Sequence, residues 1–494
     1  MSIGLIASVL IVYFFLLILI AKITSKGADT DTFFTAGKGS PWYLVAFGMI
    51  GASLSGVTFI SVPGTVQTEG MAYFQVVLGY VLGYLVIANV LMPIYYKMNV
   101  ISIYEYLKSR FGTVSYKTGA IFFILSRTLG SAMRLYLATL VLQLFLFDAI
   151  GIPYWLTAFI TVALIWVYTI KGGIKTIVFT DTFQTFFLVS SLIVTVVVIA
   201  NKLDLSFFSL YDQITEMTTG KHSLSKIFFF DDYQSKLFFP KQFFGGMFIA
   251  IAMTGLDQDL MQKNLTCKTL KDAKKNMYTF TIILVFVNFL FLLLGGALYL
   301  YAQKQGVELP INESGKVLTD KVFPTLALNE FGTIAGIFFL LGITASSYAS
   351  ADSALAALTT GFCIDFLGFK ERQDEKQKSK LKLFTHLGFS LIFLCIILIT
   401  YQIKAEALIG VILKIASYTY GPLLGLFAFG ILSKRKLKEI YTPFVCVIIP
   451  FLCFWIDKNS ITWFSGYQFS YELLILNGLL TYLGLYFISV RDKN

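Results

Sequence analysis

Charge is scarce in this chain. Asp, Glu, Lys and Arg make up 14% of its 494 residues, against 57% hydrophobic residues, whereas soluble globular proteins carry roughly 25% charged residues. A chain this long with so little charge cannot cover itself with polar surface in water, which excludes a soluble globular domain. Histidine occurs twice, at His222 and His386, which argues against a histidine-built metal centre. The five cysteines, Cys267, Cys363, Cys395, Cys446 and Cys453, have no paired spacing, so neither a disulfide framework nor a thiolate metal site is expected. No G-x-x-x-x-G-K-[ST] run occurs, so no phosphate cradle links the chain to ATP. No nucleophile and base stand together in the sequence, and neither an enzyme nor a cofactor is expected.

What the chain does have is long apolar runs. A helix needs about 20 apolar residues to cross a bilayer. Thirteen such runs lie near 3–22, 43–69, 72–97, 115–147, 154–170, 176–200, 241–264, 277–303, 322–365, 383–403, 407–432, 441–456 and 470–490. In lipid every backbone polar group must be satisfied internally, so these runs are expected to be helices. The first, Met1 to Ile23, lacks the basic flank and cleavage site of a signal peptide and reads as a span. The 49 Phe and 27 Tyr suit aromatic belts at the two interfaces.

The net charge of +11 is explained by topology better than by nucleic-acid binding. With the N-terminus outside and the C-terminus inside, most Lys and Arg fall on inner segments. Among them are Lys97, Lys108, Arg110 and Lys117, then Lys263, Lys268, Lys271, Lys274 and Lys275, then Lys370 to Lys382, and then Lys434 to Lys438. The connection 201–240 reads as an outer loop with short surface helices, and 366–384 as a charged inner connector.

Polar residues inside membrane spans are costly and usually functional. The second span carries Gly51-Ala-Ser-Leu-Ser-Gly-Val-Thr-Phe-Ile-Ser-Val-Pro-Gly64, a run that can unwind and turn carbonyl oxygens toward a cation, or pack closely against another helix. The ninth carries Ser346-Ser-Tyr-Ala-Ser350-Ala-Asp352-Ser353, hydroxyls and a carboxylate of the kind a hard cation prefers. Asp181 sits about two turns into the sixth span, and Arg127 and Arg134 lie two turns apart on one face of the fourth. An Arg can clamp a carboxylate with its fork or pair inside the bundle. Lys414 reads as a structural partner or an outward-reaching side chain. The seventh span has Gly245-Gly246 and then Gly255-Leu-Asp257-Gln258-Asp259. It is a second candidate for a break, with Asp257, Gln258 and Gln262 toward a cavity and Asp259 at the cytoplasmic end. Two broken spans five apart predict inverted repeats over spans 2–6 and 7–11, as in ion-driven transporters.

Five segments in this order resemble the sodium/solute symporter family, with its sodium-coupled sugar, sialic acid and proline transporters. They are Leu54 to Gly64, Ile103-Tyr-Glu-Tyr-Leu-Lys-Ser-Arg-Phe111, Gly172 to Gln184, Ala349-Ser-Ala-Asp-Ser353 and Gly421-Pro-Leu-Leu-Gly-Leu-Phe427. The resemblance implies a LeuT-type core. It implies a shared sodium site from the carbonyls of Gly51, Leu54 and Ser346 and the hydroxyl of Ser350, with Ala349 where the family has a second hydroxyl. Likeness to the sialic acid branch implies a possible second sodium at Asp181, Asp352 and Ser353. In the solute pocket Gly130 stands where that branch has its carboxylate-binding Arg, and Arg134 lies one turn further on.

The sequence therefore leads us to expect an all-α polytopic membrane protein of about 13 spans with LeuT-type inverted five-helix repeats, N-out and C-in. It forms one transmembrane domain over 1–494, with a leading span at 1–25, repeats at about 43–200 and 241–432, and trailing spans at 441–490. The expected function is sodium-coupled uptake of a small polar solute (a sugar, sialic acid or other carboxylate) across the inner (plasma) membrane. Ser53, Ser55, Thr58, Tyr73, Gln75, Arg134 and Gln258 are the candidate solute contacts. A monomer suffices, since each chain holds both repeats. The alternatives are proton coupling through Asp181 and Asp352, or a transporter-like sensor. A sensor normally carries an attached signalling domain, and this chain closes shortly after its last apolar run.

Overall fold

The structure, a computed structural model, describes residues 3–491 apart from 28, 220–221, 373 and 404–407. Helices dominate it. In chain order the principal ones are α1 (Ile3–Thr24), α2 (Trp42–Ser53), α3 (Gly56–Glu69), α4 (Tyr73–Met98), α5 (Thr113–Leu142), α6 (Tyr154–Thr169), α7 (Gly173–Lys202) and α8 (Phe239–Ala250). They continue with α9 (Gln258–Leu265), α10 (Leu270–Gln305), α11 (Thr319–Asn329), α12 (Gly332–Asp365), α13 (Glu375–Ile403), α14 (Leu408–Leu432), α15 (Thr442–Trp463) and α16 (Leu473–Phe487).

Every apolar run of the sequence is thus helical, but not every run is one long helix. Among the described residues nine helices are long and apolar enough to cross a membrane, and the bent pair α2–α3 makes up to ten. The run at 241–264 folds in two pieces, α8 and α9. Those at 154–170 and 470–490 form helices of 16 and 15 residues, slightly shorter than the usual range of about 17–25 for a span. The inner connector is shorter than expected, because α13 already begins at Glu375. The outer connection 201–240 holds the helix Phe207–Glu216 and a small antiparallel pairing of Thr218–Thr219 with His222–Ser223.

The outward faces carry large apolar side chains. Ile11, Phe15, Leu432, Phe444, Phe451, Trp455 and Phe487 are all exposed. In water such a surface would drive aggregation, whereas lipid tails solvate it. The interior is organised around α12, which is buried without interruption from Phe339 to Gly361. A helix apolar on one side only could not occupy that place. Here the small residues and hydroxyls of the segment let neighbours approach from all sides.

Candidate functional site

The helix break between α2 and α3 builds the centre of the molecule. Leu54 has φ −91 and ψ 83 and Ser55 has φ −69 and ψ 169, and the two helix axes bend by 62° there. The amide of Leu54 still bonds the carbonyl of Ile50 at 2.8 Å, which ends α2. The carbonyls of Gly51 to Leu54 then receive none of the backbone N–H groups an unbroken helix would supply. Free carbonyl oxygens inside a bundle need another partner. The break lies against α12. A side chain on Gly56 would collide with the Ser347 hydroxyl, and one on Gly51 would meet Thr185 and Ala349. Thr185 of α7 also accepts the Gly51 amide at 3.0 Å. The hydroxyls of Ser347 and Ser350 are buried without a hydrogen-bond partner, while Ser346 bonds back to the carbonyl of Ile343 at 3.1 Å.

Beside the break is a cavity of about 80 Å³, lined among others by Ser53, Ser55, Thr58, Tyr73, Tyr80, Tyr84 and Arg134. The hydroxyls of Tyr73 and Tyr80 share a hydrogen bond at 3.2 Å. Five of the seven sequence candidates for solute contact therefore meet here, and two do not. Gln75 is bonded to the backbone of Leu237 and Phe229. Gln258 is bonded to the backbone of Ile101 and Ile103. Both amides stitch helices to connecting chain, and neither lines the cavity. Tyr80 and Tyr84 were missed by the sequence reading. Their spacing, seven residues from Tyr73 to Tyr80 and four from Tyr80 to Tyr84, keeps all three on one helical face and was the available signal.

The seventh span is broken too, but later than its first glycines suggest. Gly245 and Gly246 let α8 pack against Tyr471 and the Val76 backbone. The chain departs from helix at Asp257, whose φ of −108 and ψ of 126 are extended, after a wide turn over Ile251–Gly255. Asp257 then caps α9 by accepting the Asp259 amide at 2.8 Å. Asp259 is fully buried rather than at a solvated end. Arg127 donates to it, Ser353 donates to its other oxygen, and Arg127 reaches Asp257 at 3.9 Å. Tyr420 donates to Asp257. One network thus ties α5, α9, α12 and α14 together. Lys414, by contrast, leans to the periphery and pairs with Asp457 at 2.6 Å, joining α14 to α15.

Lys263 is the largest departure from the sequence reading. It was expected in an inner loop, yet it is 1% exposed. It follows less than two turns after the break at Asp257, on the short α9, which stays inside the bundle. Its ammonium meets Asp181 Oδ2 at 2.5 Å. Asp352 lies within electrostatic reach of both charges and accepts a 2.7 Å hydrogen bond from Tyr168.

A family model described as the sodium:solute symporter family matches residues 33–439. The chain belongs to the sodium:solute symporter family. Its members are transporters, not enzymes, and the LeuT-type fold and multi-pass membrane character follow. The symporter is 25% identical over 413 residues to the sodium-coupled monocarboxylate transporter 2 of Bos taurus, covering 82% of this chain and 64% of that protein. It therefore spans a little under two thirds of that relative's length. It is 25% identical to the sodium/sialic acid symporter NanT of Aliivibrio fischeri, with 82% and 78% covered. It is also 25% identical to the sodium/sialic acid symporter SiaT of Proteus mirabilis, with 87% and 84% covered. A solved sodium-coupled sialic acid symporter, substrate-bound and outward-open, superposes over both whole chains with a TM-score of 0.82 at 19% identity, a likeness of fold.

Set on this symporter's helices, the residues implied by the resemblance fall into two groups. Gly51 and Leu54 lie at the α2–α3 break and Ser346 and Ser350 on α12, with Gly51 against Ala349 and Gly56 against Ser346 and Ser347; the carbonyls of the break and the Ser350 hydroxyl are oxygens without a hydrogen-bond partner among the described residues. Asp181, Asp352 and Ser353 lie on α7 and α12, but each is already engaged, with Lys263, Tyr168 and Asp259 respectively.

Proposed function

We propose that this symporter couples inward sodium flux to the uptake of a small organic carboxylate by alternating access. The observation that carries the carboxylate is Arg134. Its guanidinium lines the central cavity and has no hydrogen bond or salt bridge among the described residues, while Arg127 two turns away is taken up by Asp259. A charged fork left free beside hydroxyls suits a carboxylate. The relatives named for sialic acid and for monocarboxylates share that group. A cavity of about 80 Å³ lies below the roughly 300–1,000 Å³ of drug-sized pockets, which favours the smaller acids.

Sodium is held by the carbonyl oxygens of Gly51, Leu54 and Ser346 and the Ser350 hydroxyl. There it ties the broken span to α12 and favours the outward-open state. Ser53, Ser55, Thr58 and Tyr73 orient the solute whose carboxylate rests on Arg134. Sodium raises solute affinity, and the solute raises sodium affinity by the same factor. The thirteen helical passages all span the membrane, N-out and C-in, with repeats at about 43–200 and 241–432. The working unit is a monomer in the inner (plasma) membrane.

The test is thermal stability of the purified protein with sodium, potassium or lithium, across small monocarboxylates, sialic acids, sugars and amino acids. A ligand at a hundredfold excess over its Kd stabilises by about 2.7 kcal/mol. A sodium-dependent shift with monocarboxylates is expected. Ser350→Ala is expected to raise the sodium needed for half the effect about fivefold, the worth of about 1 kcal/mol for one oxygen ligand. Wild-type sodium dependence in Ser350→Ala, or a shift with sugars alone, would count against the reading.

A further inference from the structure

The second cation position, implied by Asp181, Asp352 and Ser353, is where this chain departs from a two-sodium transporter. Two carboxylates there share a pocket closed to solvent, each at most 1% exposed. Asp181 and Asp352 each keep one oxygen, Oδ1, without a hydrogen-bond partner. An ionised carboxylate in such a place needs a positive charge beside it. The chain supplies one of its own. Lys263 is buried, and its ammonium rests on Asp181. The same ammonium also acts electrostatically on Asp352, so one tethered charge serves both carboxylates. Ser353, the third oxygen of the implied set, donates instead to Asp259 within the Arg127 network. A sodium ion would have to displace a cation that is covalently tethered and never leaves, against the high effective concentration a short tether gives.

We infer that Lys263 is a built-in cation at the second position, so that this symporter moves a single sodium with each solute. The inference rests on the sodium-symport reading. Its consequence is structural as well as stoichiometric. Asp181 is one turn before Thr185, which bonds Gly51 at the break, and a side chain on Gly48 would press on Asp181. The ion pair thus holds α7 and α9 beside the first sodium position without a second sodium, where a diffusible ion would do so only when bound.

The experiment counts radiosodium bound per protein at equilibrium, in the presence of a transported monocarboxylate. Wild type is expected to bind one sodium, with uptake rising hyperbolically with sodium. Lys263→Met is expected to bind two, and Lys263→Met with Asp181→Asn to bind one again. Should Lys263→Met fail to fold, the wild-type count and the charge-neutral double variant still decide. Two ions on wild type overturn the inference, as does a folded Lys263→Met that still binds one, or a double variant that binds none. A wild type that binds no sodium defeats the symport reading itself, which is a separate outcome.

Discussion

Arg127→Met is expected to destabilise the protein by about 3–5 kcal/mol, the cost of leaving a buried charge without its partner. Arg127 is the one cation bonded to Asp259 among the described residues, and it also faces Asp257. Neither carboxylate has water to turn to, since both are fully buried. Ser353 and Tyr420 can donate hydrogen bonds to the pair, but hydroxyls cannot neutralise it. The loss should appear as a lower melting temperature at every sodium concentration, because the network ties α5, α9, α12 and α14 whether or not ions are bound. Asp259→Asn in the Arg127→Met background should recover much of it by removing the stranded charge. An Arg127→Met variant as stable as wild type would mean that the network is ornamental.

Arg134→Gln is expected to leave stability near wild type and to weaken solute affinity by about 10- to 150-fold, the range of about 1.5–3 kcal/mol for hydrogen bonds to a charged group. The contrast with Arg127 is the point. The two arginines are seven residues apart on one helical face, yet among the described residues one bonds an acidic side chain and the other bonds none. Arg134→Lys keeps the charge and loses the planar fork, so it should fall between. Uptake and solute-induced stabilisation of the purified variants measure this. Undiminished carboxylate affinity in Arg134→Gln would remove Arg134 from the pocket and with it the argument for an acidic solute.

Much of this arrangement is legible in the sequence because lipid leaves few options. Apolar runs must become helices there, and a stretch such as Gly51-Ala-Ser-Leu-Ser-Gly56 has neither the apolar bulk nor the helix propensity to stay intact. The break at Leu54 and Ser55 follows. The hydroxyls of Ser53, Ser55 and Thr58, and Tyr73 with Arg134, were readable as a set because a charged or polar residue inside a span needs a reason. Lys263 was not readable. By sequence it stands at the head of a basic cluster with Lys268, Lys271, Lys274 and Lys275, and the positive-inside rule draws such a cluster into the loop as a unit. Only the depth of the break at Asp257 shows that α9 carries Lys263 back into the bundle. Gln75 and Gln258 misled for a related reason. Both are buried polar groups, but the backbone they satisfy belongs to segments more than a hundred residues away in sequence, and no local pattern marks such a bond.

The most direct test of sodium-coupled carboxylate uptake uses the purified protein in sealed vesicles at one pH, with a labelled small monocarboxylate outside. An inward sodium gradient is expected to drive transient accumulation above the external concentration. An inward potassium gradient of the same size, and a proton gradient without sodium, are expected to give equilibration at most. Accumulation driven equally well by protons without sodium, or none under any gradient with a monocarboxylate that binds, would contradict the account.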